Sequence, residues 1–147
     1  MELDKNVIDK DILEKANISD DMFAGKGKRF VNLIIDTTIY YLVATFIMII
    51  INNLAENFKE KSIYTYLIMY GSHFAYYSLM EHFADGKTVG KFITNTRVLT
   101  ETRELPSLQT TMLRSVCRLI PFEAFSNLGE PPRGWHDSFS KTYVIND

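Results

Sequence analysis

Residues 30–51 read FVNLIIDTTIYYLVATFIMIII, and Asp36 is the only formal charge in the stretch. As a helix it extends about 33 Å at ~1.5 Å per residue, enough for a hydrocarbon core of about 30 Å. A core helix of a soluble protein keeps a polar stripe for water. Residues 40–51 have none, because Thr45 alone interrupts an apolar circumference. The first 28 residues carry many acids, including Asp4, Asp9, Asp11, Glu14, Asp20 and Asp21. This acidic lead, and an apolar run longer than a secretory core, argue against a cleaved signal peptide. The reading is an uncleaved transmembrane helix.

A second uncharged block, residues 62–80, reads SIYTYLIMYGSHFAYYSLM. It is shorter and rich in Tyr and Phe, which suit the membrane–water boundary. The two blocks predict spans at about 30–51 and 62–81, packed antiparallel around a short turn. Lys26, Lys28 and Arg29 precede the first, and Lys87, Lys91 and Arg97 follow the second. The connecting loop holds only Lys59 and Lys61. Basic flanks mark the cytoplasmic side, so both termini are expected in the cytoplasm.

The chain has 147 residues, one ordinary domain. Its net charge of -2 argues against nucleic-acid binding through bulk charge. One cysteine, Cys117, precludes an intrachain disulfide and suits a reducing compartment. Residues 1–24 form a charged N-terminal segment. Within it Val7, Ile8, Ile12 and Leu13 have the spacing of a short amphipathic helix, and a flexible tail is the other reading. Residues 25–147 form the membrane domain. Residues 85–91 (DGKTVGK) predict a turn and a short helix, without the spacing of a phosphate-binding loop. Residues 96–99 read as a strand. Ser107 is a candidate N-cap for a helix over about 107–120, in which Leu108, Met112, Ser115 and Leu119 share one face. Arg114 and Arg118 share another. Charge makes this segment an interfacial amphipathic helix on the cytoplasmic side rather than a third span. Residues 142–145 are a second strand, expected to pair with 96–99 as a small β clip. The fold class is therefore an all-α membrane protein, a two-helix hairpin with an interfacial helix and a two-stranded clip.

Several of these residues form an ordered pattern. Gly27-Lys28-Arg29-Phe30-Val31 leads to Asp36. Thr88-Val89-Gly90-Lys91, Thr96-Arg97-Val98-Leu99, Arg114 and Arg118-Leu119-Ile120-Pro121 follow. Gly134-Trp135-His136-Asp137 and residues 141–145 (KTYVI) close the chain. In order and spacing this resembles the RDD family of bacterial integral membrane proteins over about residues 25–146. The family's arginine and two aspartates fall on Arg29, Asp36 and Asp137. Similar sequences often carry a further apolar helix before the W-H-D turn; residues 122–132 here are too few to cross a bilayer. The resemblance implies a multi-pass protein of the bacterial cytoplasmic membrane. For activity it implies only that transport, ion or proton coupled, has been suggested for the family.

Polar residues inside or beside the spans are the candidate functional groups: Arg29, Asp36, His73 and Glu81. Arg29 and Asp36 lie seven residues apart on one helix face. An antiparallel register that sets Arg29 against Glu81 also sets Asp36 level with His73. Asp36 is open to three readings: a structural tie to His73 or to Arg114 or Arg118 of the interfacial helix, a proton or cation site, or a neutral group tolerated near the interface. At the cytoplasmic face Arg114, Arg118, Trp135, His136 and Asp137 are candidates. Asp137 is read as clamping its turn and Trp135 as a headgroup anchor. Arg114 and Arg118 either bind lipid phosphates or snorkel. The three histidines and single cysteine have no zinc spacing, and no nucleophile–His–acid constellation is legible, so neither an enzyme, a cofactor nor a metal is expected. The expected partners are the lipid bilayer and either further copies of the chain or another membrane protein. Two functions stay open: a transport-related oligomer using Asp36, or a non-catalytic subunit that scaffolds or assists assembly of a membrane complex.

Overall fold

The structure, a computed structural model, describes residues 22–54, 61–129 and 133–147. The expected helix near Val7–Leu13 lies outside them. The element order is α1 (Lys26–Leu54), α2 (Lys61–Phe83), α3 (Val89–Thr94), β1 (Thr96–Thr100), α4 (Leu108–Cys117), a 3-10 helix (Glu123–Leu128), α5 (Trp135–Phe139) and β2 (Thr142–Asn146).

The first apolar block is helical throughout. Among the described helices one, Lys26–Asn53, is long and apolar enough to cross a membrane. The second block is also one helix, α2, but tyrosines, Gly71, Ser72 and His73 dilute its apolar character. On α1 the buried residues are Arg29, Asn32, Asp36, Tyr40 and Ala44. Their spacing of three and four puts them on one stripe. Ile34, Leu42, Phe46 and Ile49 point outward and are exposed. The Tyr40 hydroxyl donates to the Met69 carbonyl at 2.9 Å, and Tyr76 donates to Asp36 at 2.9 Å. Position rises on α1 as it falls on α2, so the helices pack side by side in opposite senses.

The register differs from expectation by about one turn. Asp36 meets Tyr76, and His73 instead packs edge-on against the Tyr40 ring, 5.1 Å between centroids. Arg29 does not reach Glu81, because α4 and α5 supply the partners of both. The cause is α3, which occupies the space beside the start of α1. A Cβ on Gly90 would lie 2.7 Å from the Asn32 carbonyl oxygen and 2.9 Å from its Cα. Only a glycine lets the two backbones come this close. Gly86 serves the turn before it, with φ of +78° and a built Cβ 2.4 Å from the Val98 carbonyl.

β1 and β2 pair antiparallel, Val98 opposite Val144 and Thr100 opposite Thr142. The expected clip thus forms, and each strand runs one residue further at its C-terminal end. Two strands alone are marginal; here Ala24 donates its amide to Val144 at 2.9 Å and completes a small apolar core with Val98 and Val144. α4 starts at the expected cap, where Ser107 Oγ accepts from the Thr110 amide at 3.3 Å. It ends at Cys117, short of the expected 120, with residues 118–122 in turns before the 3-10 helix. Its polarity is reversed relative to a helix of a soluble domain. Thr111, Arg114 and Ser115 are fully buried, while Leu108, Met112, Leu113 and Val116 are exposed. Ser115 therefore does not share the surface of Leu108 and Met112; it turns inward with the arginine.

Gly90→Ala should lower stability by about 1–3 kcal/mol, the usual cost of overpacking against fixed backbone. Gly71→Ala, with nothing within 4 Å of its built Cβ, should raise it by roughly 0.5–1 kcal/mol in a helix interior. Thermal unfolding of both in detergent checks the contrast.

Candidate functional site

The stripe on α1 delivers Arg29, Asn32 and Asp36 to the junction between the long helices and the smaller elements. Asp36 is saturated. It accepts from the Tyr76 hydroxyl at 2.9 Å, the Thr88 hydroxyl at 2.6 Å and the Gly90 amide at 2.8 Å. Thus the Thr-Val-Gly segment docks on the carboxylate of the first helix. One turn earlier, Asn32 Oδ1 accepts from Thr94 at 2.6 Å and its Nδ2 donates to Thr96 at 3.1 Å. Both ends of α3 are thereby fixed to α1. Asp36 thus ties α1 to α2 and α3 through Tyr76, Thr88 and Gly90, and not to His73, Arg114 or Arg118 as expected.

Beside it lies a larger network. Arg114, fully buried, donates Nε to Glu81 at 2.8 Å and Nη1 to Asp137 at 2.7 Å. Nη1 also contacts the Thr142 hydroxyl. Glu81 further accepts from Lys91 at 2.5 Å and from Arg118 at 2.8 Å. Asp137 further accepts from Arg29 at 2.5 Å and from the Gly134 amide at 3.3 Å. Arg118 stacks on the Tyr77 ring, 4.3 Å to its centroid. Glu123 lies 2.5 Å from His136 Nδ1, whose Nε2 is 3.3 Å from Asp137. The heads of Arg114 and Arg118 turn inward to carboxylates. Asp137 does clamp its turn, and in addition receives two arginines. Trp135 is half-exposed.

The titration of the groups outside the long helices follows from this packing. Burial would raise the Asp137 carboxyl, but His136, Arg29 and Arg114 offset it and hold the group well below its ordinary range. Glu123 follows the same logic: burial raises it, and the His136 hydrogen bond and charge bring it net downward. Burial pushes His136 down despite Asp137 beside it. Burial likewise lowers Lys91, to about 8, against the pull of Glu81.

A cavity of about 230 Å³ opens against this network. Arg29, Asp36, His73, Lys91, Arg118, Glu123 and His136 contribute to its wall. His73 Nδ1 and Arg118 Nη1 are buried without a hydrogen-bond partner. Among the described residues no group of three His, Cys, Asp or Glu is arranged to hold a metal ion.

Sequence reasoning named Arg29, Asp36, His73, Glu81, Arg114, Arg118, His136 and Asp137, and the structure places all of them in or against this junction. It did not single out Asn32, Tyr76 or Glu123, and it named Thr88 and Lys91 only as parts of the ordered pattern or the basic flank. Asn32 could have been found, since it lies on the Arg29–Asp36 stripe three residues along. Glu123 had no comparable signal, because its role depends on a turn that aims it at His136.

A comparison with protein families matches residues 23–144 to the profile described as the RDD family. Neither the curated proteins nor the solved structures give a match.

Asp137→Asn should cost about 3–5 kcal/mol, since it leaves buried guanidinium charge uncompensated. Asp147→Asn removes partly exposed pairs with Lys87 and Arg97 and should cost under about 1 kcal/mol. Denaturation in detergent separates them. Depressed carboxyls also set a pH dependence. The unfolded chain takes up protons first, so the stabilisation is complete above about pH 5 and falls as pH drops below ~4. A midpoint measured from pH 7 to pH 3 should decline only in the acid part of that range.

Proposed function

Because the chain belongs to the RDD family, we propose that this RDD-type membrane protein inserts as a two-helix hairpin in the bacterial cytoplasmic membrane with both termini in the cytoplasm. We propose further that it acts in ion- or proton-coupled transport as an oligomer and not as an enzyme. The basic flanks of the two long helices support the orientation. The exposed apolar residues of α4, together with Phe122, Phe125 and Phe139, support an interfacial position for the smaller elements. They match lipid as solvent far better than water.

The observation that carries the transport reading is the cavity. Ionisable residues at membrane depth are costly and usually mark a path or site. Here several converge on one void of about 230 Å³ at the inner end of the helix pair. The cavity, rather than Asp36 alone, is then the site, since Asp36 already accepts three hydrogen bonds. Two crossing helices cannot enclose a polar path, so the reading requires further copies or a partner.

A second reading, a non-catalytic subunit that scaffolds or helps assemble a membrane complex, is favoured by the use of Asp36 as a clamp for α3 and by the outer face of α1. There Thr38, Tyr41, Leu42, Thr45, Phe46 and Ile49 line an apolar groove.

Reporters fused to either end should signal from the cytoplasm; an externally active C-terminal reporter would refute the two-crossing topology. Purified in mild detergent, the protein should migrate as an oligomer, and vesicles containing it should show ion flux above empty vesicles. A strict monomer without flux would eliminate the transport reading. Isolation of one defined membrane complex with it would establish the second.

A further inference from the structure

The wall of the cavity is not neutral. Arg29, Lys91 and Arg118 contribute three basic groups, against the two carboxylates of Asp36 and Glu123. Both carboxylates are already engaged, Asp36 by three donors and Glu123 by His136. Their basic counterparts are not used up. Lys91 has three N–H bonds and the structure gives its ammonium one carboxylate, Glu81. Arg118 spends one nitrogen on Glu81 and leaves Nη1 shielded and without an acceptor. An unmet buried donor costs free energy, and a guanidinium donor is best met by a carboxylate or phosphate oxygen. A cation entering the same space would meet these three basic groups on the lining, with Glu81 and Asp137 set behind them.

We propose that the cavity is a binding site for a small oxyanion, a carboxylate or phosphate group, held by Arg118 and Lys91. The guanidinium stays stacked on Tyr77, 4.3 Å from the ring centroid, and a small turn in that plane brings Nη1 to the anion. The ammonium of Lys91 gives a second contact while keeping Glu81. A void of about 230 Å³ accommodates inorganic phosphate or a short carboxylate with water. It also accommodates the phosphate of a lipid whose chains lie along the exposed apolar residues. The shared chemistry is the oxyanion. The proposal rests on the cavity as the site of the transport reading, but binding in detergent requires no flux.

The full-length protein in detergent is titrated with sodium phosphate, sodium acetate and sodium chloride, with binding read by calorimetry and by thermal midpoint. In parallel, retention of anionic phosphatidylglycerol against zwitterionic phosphatidylcholine is measured in mixed micelles. Saturable binding of phosphate or acetate over chloride identifies a free anion. Selective, stoichiometric retention of phosphatidylglycerol without it identifies a headgroup. Either result supports the site, provided that it weakens at least about tenfold, ~1.4 kcal/mol, in Arg118→Gln. Because that variant also loses a contact to Glu81 and could fail to fold, Ala124→Phe is the second probe. It fills the cavity wall and leaves every charge in place, and it should abolish binding. Binding that persists unchanged in Ala124→Phe overturns the proposal, as does the absence of both oxyanion and lipid binding. Oxyanion binding without flux removes the transport reading and keeps the site. Flux without oxyanion binding does the reverse.

Discussion

One guanidinium holds the inner half of this protein together. Arg114 is fully buried and reaches Glu81 of α2 with one edge and Asp137 of α5 with the other. Its planar fork can serve two carboxylates in fixed directions, which a lysine ammonium cannot. Through Asp137 the bond passes to Arg29 of α1, and through Glu81 to Lys91 and Arg118. Such a cluster is tolerable in a low-dielectric interior only if its charges balance. Over the whole inner layer they match in number: Arg29, Lys91, Arg114 and Arg118 against Asp36, Glu81, Glu123 and Asp137. Asp36 stands apart in receiving neutral donors, and this makes it the clamp for α3 rather than a member of the ion-pair chain.

The same network explains the reversed polarity of α4. A short helix whose charged side is claimed by buried carboxylates has only its apolar side left to show. In water that arrangement would be unfavourable. For an RDD-type membrane protein it is the expected one, because lipid takes the apolar side and the charges find one another inside. The exposed apolar residues of α1 and of the smaller elements thus have one physical account.

The long helices, the clip and the cap at Ser107 were legible in the sequence because each rests on local signals. An uninterrupted apolar run, two β-branched segments and a serine before a helical pattern are such signals. Arg29 and Asp36 were legible as a pair because seven residues bring a helix back to the same face. The register between the helices was not, since it depends on how closely α3 approaches Asn32. Gly90 permits that approach, and its flanking sequence reads only as a turn. Likewise the inward turn of Arg114 could not be read from an amphipathic pattern, which says that a helix has two faces but not which is buried. The partner of an arginine is set by long-range geometry, and sequence spacing does not carry it.

The ion pair between Arg29 and Asp137 joins residues 108 positions apart. During synthesis both long helices emerge before α5 exists, so the nascent protein holds an unmatched arginine at the boundary of its first helix. Arg29 and Arg114 gain the acid they share only once α5 has been made, so the inner layer closes after both long helices have emerged.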